Sequence, residues 1–72
     1  MTVNEAINLL RKSQPRYIPC GYWVKNDAII FKTKGVNGLA APSLFAVTKN
    51  HDVYGVTPMM YDLTNNDMQE IF

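Results

Sequence analysis

The sequence predicts an α+β fold: an N-terminal helix packed on a three- to four-stranded antiparallel sheet, with a short C-terminal helix closing the domain. Three observations predict it. A capping signal and a one-sided apolar stripe open the chain between Thr2 and Leu10. Further on, Pro42 to Val56 reads Pro-Ser-Leu-Phe-Ala-Val-Thr-Lys-Asn-His-Asp-Val-Tyr-Gly-Val, two β-prone runs around the polar Lys49-Asn50-His51-Asp52, which is the pattern of a hairpin with a four-residue loop. The length, 72 residues, allows one domain spanning 1–72, and 47% hydrophobic against 18% charged residues is the balance of a folded chain.

Taken in order, Thr2-Val3-Asn4-Glu5 is a capping box, in which Thr2 and Glu5 satisfy each other's amides at a helix start. Val3, Ala6, Ile7 and Leu10 recur at helical spacing with Leu9 at the margin, Arg11 and Lys12 complement the dipole of the last turn, and Pro15 stops the helix. Such a helix must lie on a sheet. Tyr17 to Val24 is β-prone but contains Pro19 and Gly21, so the strand belongs at an edge or begins after Gly21. Lys25-Asn26-Asp27 turns the chain into a strand from Ala28 to Lys34, where Ile29, Phe31 and Thr33 share one face and Ile30, Lys32 and Lys34 the other.

The stretch from Gly35 to Pro42 reads as a connecting loop. Its two glycines lack the spacing, the Gly-Lys-Ser/Thr and the following helix of a phosphate cradle. Strands Ser43–Thr48 and Val53–Thr57 form the hairpin, with Phe45 and Val47 pointing inward, and Pro58 ends it. A short helix is expected from Thr64, capped by Asp67, with Leu63, Met68, Ile71 and Phe72 on its apolar side.

Composition narrows the chemistry. Cys20 is the only cysteine and His51 the only histidine, so an internal disulfide and a Cys/His zinc set are both excluded. Cys20 and His51 form one conceivable nucleophile–base pair, but a strand cysteine and a turn-tip histidine are explained without it. Asp62, Asp67 and Glu70 read as helix-cap and solvent carboxylates. The expectation is a protein that is not an enzyme and holds no cofactor or metal. No run approaches the roughly 20 apolar residues of a membrane span, and the first twenty residues do not form a leader, so a cytosolic location is the default.

Charge is uneven although the net is only +1. Residues 1–36 hold Arg11, Lys12, Arg16, Lys25, Lys32 and Lys34 against Glu5 and Asp27, while residues 37–72 hold Lys49 against Asp52, Asp62, Asp67 and Glu70. That asymmetry could orient a partner; a normally solvated surface is the commoner explanation of such a pattern.

Several of these features occur together in one family. Thr2, Glu5 and Ala6 open the helix, Ile29-Ile30-Phe31 closes an aromatic-containing hairpin, Gly38, Ala40, Ala41 and Pro42 make a loop, and Val47-Thr48-Lys49 precedes Val53-Tyr54-Gly55. This resembles the small bacterial immunity proteins of the immunity protein 35 type, whose last hairpin is also similar to that of PepSY-like domains. Thr48 stands where that type has an aspartate. The resemblance implies a helix-on-sheet fold and stoichiometric binding of a toxin or another protein; it carries over no contact residue.

The functional expectation is therefore a small protein-interaction module, immunity-like in kind. Its candidate contacts are the wet sheet face (Ile30, Lys32, Lys34) and the apolar tail (Met59, Met60, Tyr61, Phe72), together with the hairpin turn. Another protein is the expected partner, and a homodimer through an edge strand or the tail is a variant of that reading. The alternative is a nucleic-acid-binding accessory protein using Arg16, Tyr17, Trp23, Lys32 and Lys34.

Overall fold

The computed structural model describes residues 1–35 and 43–71. One helix, α1 (Val3–Ser13), lies on an antiparallel sheet of β1 (Tyr17–Val24), β2 (Ala28–Gly35), β3 (Leu44–Thr48), β4 (Val53–Val56) and β5 (Gln69–Glu70). The spatial order is β4-β3-β2-β1-β5. The expected α+β architecture is present, with five strands where three or four were expected.

The helix starts where its capping box places it. Thr2 Oγ1 accepts from the Glu5 amide at 3.1 Å, and Ala6 and Leu10 are fully buried on the sheet side. Beneath them lie Ile29, Phe31, Phe45 and Val47, so the inward assignment of Phe45 and Val47 holds. Thr33 ends this buried row and satisfies its hydroxyl by donating to the Ser43 carbonyl at 2.8 Å. The four-residue hairpin loop is also present. Thr48 Oγ1 accepts from the Asn50 and Asp52 amides, and His51 takes the left-handed conformation at φ 70° that lets the loop close.

Strand β1 solves the problem of Pro19 and Gly21 with a bulge. Pro19 pairs with Thr33, yet Gly21 pairs with Lys32, so Cys20 is the extra residue. The extra residue reverses the alternation of side chains. Tyr17 before the bulge and Tyr22 after it both reach the helix face, where they pack on Phe45 and Phe31 at ring separations of 5.0 and 6.1 Å. Trp23 goes to the other face. Pro19, which has no amide to donate, has no β5 partner among the described residues, so no ladder bond is lost to it there.

The second face departs most from expectation. Trp23, Ala28, Ile30 and Ala46 are buried there under Tyr61, Leu63 and Met68 from the C-terminal segment, with Leu44 and Val56 alongside. Two 3-10 turns, Pro58–Met60 and Asn65–Asp67, carry that segment across the sheet. The short closing helix is thus a single turn. Thr64 Oγ1 does bond Asp67 Oδ2 at 3.0 Å, but from Met68 the backbone extends to pair Gln69 with Tyr22 and Glu70 with Gly21. The open edge of β1 offers that segment ladder hydrogen bonds and a buried face, a stronger set of contacts than a few turns of isolated helix.

Candidate contact surfaces

The sheet face read as wet divides into two halves. Ile30 is fully buried beneath the tail, which removes it from the candidate contacts. Its position at the centre of the sheet, opposite Ala46 on one side and Trp23 on the other, makes it core rather than surface. Lys32 is half-buried and Lys34 exposed, and they continue the same face toward the Gly35 end. Their neighbour is Ile18, which pairs with Lys34 and is 40% exposed. The sequence did not single out Ile18, because without the bulge its parity puts it on the face of Tyr22, opposite Trp23; the Pro19–Gly21 interruption was the signal. Arg16, also exposed, precedes β1 at this end, and Glu70 lies on the same face across Gly21 from Lys32.

What covers the other half is anchored by polar contacts as well as packing. Trp23 Nε1 donates to the Thr64 carbonyl at 2.7 Å, and Lys25 Nζ donates to the Asp62 carbonyl at 2.7 Å. Tyr61 belongs to this cover, half-buried against the apolar cluster, rather than to a free tail. Its hydroxyl lies 3.3 Å from that of Tyr54, and this hydrogen bond, with burial next, raises its pKa from 10 to about 12. Phe72 lies outside the described residues, as does the loop between Gly35 and Ser43 that was weighed as a phosphate cradle.

At the corner where the tail leaves β4, apolar side chains remain uncovered. Met59 is 96% exposed, Met60 59% and Tyr54 40%. Tyr54 lies in β4 and the two methionines in the turn that follows it, and β4 has β3 as its only neighbour among the described residues. The bond from the Thr48 amide to the Asp52 carbonyl sets the ladder alternation, which turns the backbone groups of Val53 and Gly55 outward. This corner combines unpaired strand backbone with flexible thioethers, both suited to macromolecular contact.

The remaining sequence candidates are not brought together. Cys20 sits in the bulge with Sγ 3.4 Å from the Lys32 carbonyl, whereas His51 tips the hairpin beyond Thr48, which pairs with Ala28 at the opposite end of β2. His51 instead borders an open depression of about 250 Å³ with Glu5, Asn8, Leu9 and Lys12 of α1. Of the residues weighed for nucleic acid, Tyr17 is packed on Phe45 and Trp23 is 5% exposed, so neither presents a ring beside Lys32 and Lys34. Among the described residues, no helix is long and apolar enough to cross a membrane and no group of three or more His, Cys, Asp or Glu side chains could hold a metal ion. Comparison with protein-family models, with curated proteins and with solved structures finds no match to this chain.

Proposed function

We propose that this chain is a non-enzymatic protein-interaction module, immunity-like in the sense that it acts by stoichiometric binding. The observation that carries the reading is the uncovered corner of Met59, Met60 and Tyr54 beside the outer edge of β4. In so small a domain, whose helix covers one face of the sheet and whose tail covers half of the other, apolar side chains grouped beside an edge strand suit a macromolecular partner. The hydrophobic area there gives a partner binding energy, and the backbone of Val53 and Gly55 can extend its ladder.

The test is a photoreactive amino acid at position 59, expressed in the native host and activated in living cells. A single protein adduct of defined mass, abolished by Met60→Asp and reconstituted as an equimolar complex from purified components, supports the reading. If the chain crosslinks only to itself, the homodimer is the functional unit. An adduct to nucleic acid, or none with the folded chain present, rejects it.

A further inference from the structure

The half of the tail face left open among the described residues is chemically distinct from the methionine corner. Lys32 and Lys34 stand two residues apart on one strand face, so their stems are about 7 Å apart. Ile18 lies beside Lys34 as its cross-strand partner, 40% exposed, and Arg16 is exposed in the turn that precedes β1. Glu70 is a carboxylate on this face, two strands from Lys32 and so about 10 Å away. Two lysines beside an exposed apolar side chain therefore share this face, with Arg16 exposed in the turn next to it and Glu70 at the margin.

From this arrangement we infer that the open end of the tail face, Ile18 with Arg16, Lys32 and Lys34, is a contact surface for an acidic protein segment. The charges select the sign of the partner, and Ile18 gives it an apolar anchor. The spacing of the lysines matches carboxylates at positions i and i+4 of a helix, about 6 Å apart, or i and i+2 of a strand. Nucleic acid would also answer the charge, but sequence-tolerant binding of single strands relies on stacking. The rings that could supply it are turned away: Tyr17 and Tyr22 lie on the helix face against Phe45 and Phe31, and Trp23 is under the tail. The bulge at Cys20 causes both arrangements at once, since it sends the tyrosines to the helix face and leaves Ile18 with the lysines.

The inference rests on the protein-interaction reading for its class of partner, and its test is separable from that one. The probe is a helical peptide with Glu at every fourth position and one central Leu, titrated into the isotopically labelled chain and followed by amide chemical shifts. Shifts centred on Ile18, Lys32 and Lys34 are expected. Affinity should fall about ten-fold with Lys34→Glu, an exposed site that leaves the fold intact, and should vanish above about 0.5 M salt. A matching Lys peptide should not bind. Shifts at Met59 and Tyr54 instead, none at all, or tighter binding of a thymidine oligonucleotide at the same amides would overturn the inference. In cells, a photoreactive residue at position 18 should capture an acidic protein, with the adduct lost in Lys34→Glu. Adducts at position 59 alone keep the protein-interaction reading and reject this surface, while adducts at neither reject both.

Discussion

At the residue scale, Gly21 shows how one position can hold two elements together. A Cβ built there would come within 2.6 Å of Met68 Sδ and 3.3 Å of the Gln69 carbonyl oxygen, so the glycine is what allows β5 and the tail to close on β1. The thioether can swing aside but the backbone cannot. We expect Gly21→Ala to destabilise the fold by about 1–2 kcal/mol. In a double-mutant cycle with Met68→Ala, the combined loss in urea denaturation should be smaller than the sum, because the second change removes the atom the first one strikes. Strict additivity would mean that Met68 does not lie over Gly21. Tyr61 makes a prediction of opposite kind, about protons. Its phenol is an acid whose folded pKa, about 12, exceeds the ordinary 10, chiefly through the Tyr54 hydrogen bond. Between those values the folded chain keeps a proton that the unfolded chain has released. The contribution is therefore fully present below pH 10 and is lost as pH rises toward 12. Tyr54→Phe should return the Tyr61 titration, followed by phenolate absorbance, toward its ordinary midpoint and flatten that alkaline loss of stability.

At the scale of elements, legibility followed how local each signal was. The helix was readable because its cap, stripe and stop lie within fifteen residues, and each was found in place. The hairpin was readable for the same reason, from Thr48 to Asp52. The tail was not, because its fate was decided by a partner distant in sequence: Thr64 is held by Trp23 and Glu70 pairs with Gly21. Propensity around Thr64–Asp67 favours a helical turn, and one forms, but the exposed edge of β1 draws the next residues into a strand. The contact surface suffered from the same blindness. Ile30 was grouped with Lys32 and Lys34 on correct parity, yet parity cannot say how far along a face a cover extends. The anchor itself is testable. Trp23→Phe removes the donor to the Thr64 carbonyl at a cost of about 1–3 kcal/mol. Hydrogen exchange should then accelerate first at the Ile71 amide, which donates to the Cys20 carbonyl at 3.0 Å, while the amides of α1 stay protected. Equal acceleration in both places would mean that the tail does not undock as a unit.

At the scale of the whole molecule, the fold is two thin cores back to back on one pair of strands. Ile30 and Phe31 are consecutive, fully buried, and belong to opposite clusters. Neither core can form without β2 and β3, so the sheet couples the helix on one side to the tail on the other. A chain of this length sits at the low end of domain stability, about 5 kcal/mol. Phe31→Ala should cost about 3–5 kcal/mol, the greater part of that margin. The consequence concerns the side that the mutation does not touch. Trp23, on the tail face, reports there by fluorescence, and far-ultraviolet dichroism reports α1 on the other. If the two cores share one cooperative transition, both signals should shift by the same amount in Phe31→Ala, with coincident denaturation curves. If the dichroism falls at lower denaturant while the Trp23 emission stays buried, the tail face holds its structure independently. The sheet would then be a platform for two separable units rather than the element that makes them one.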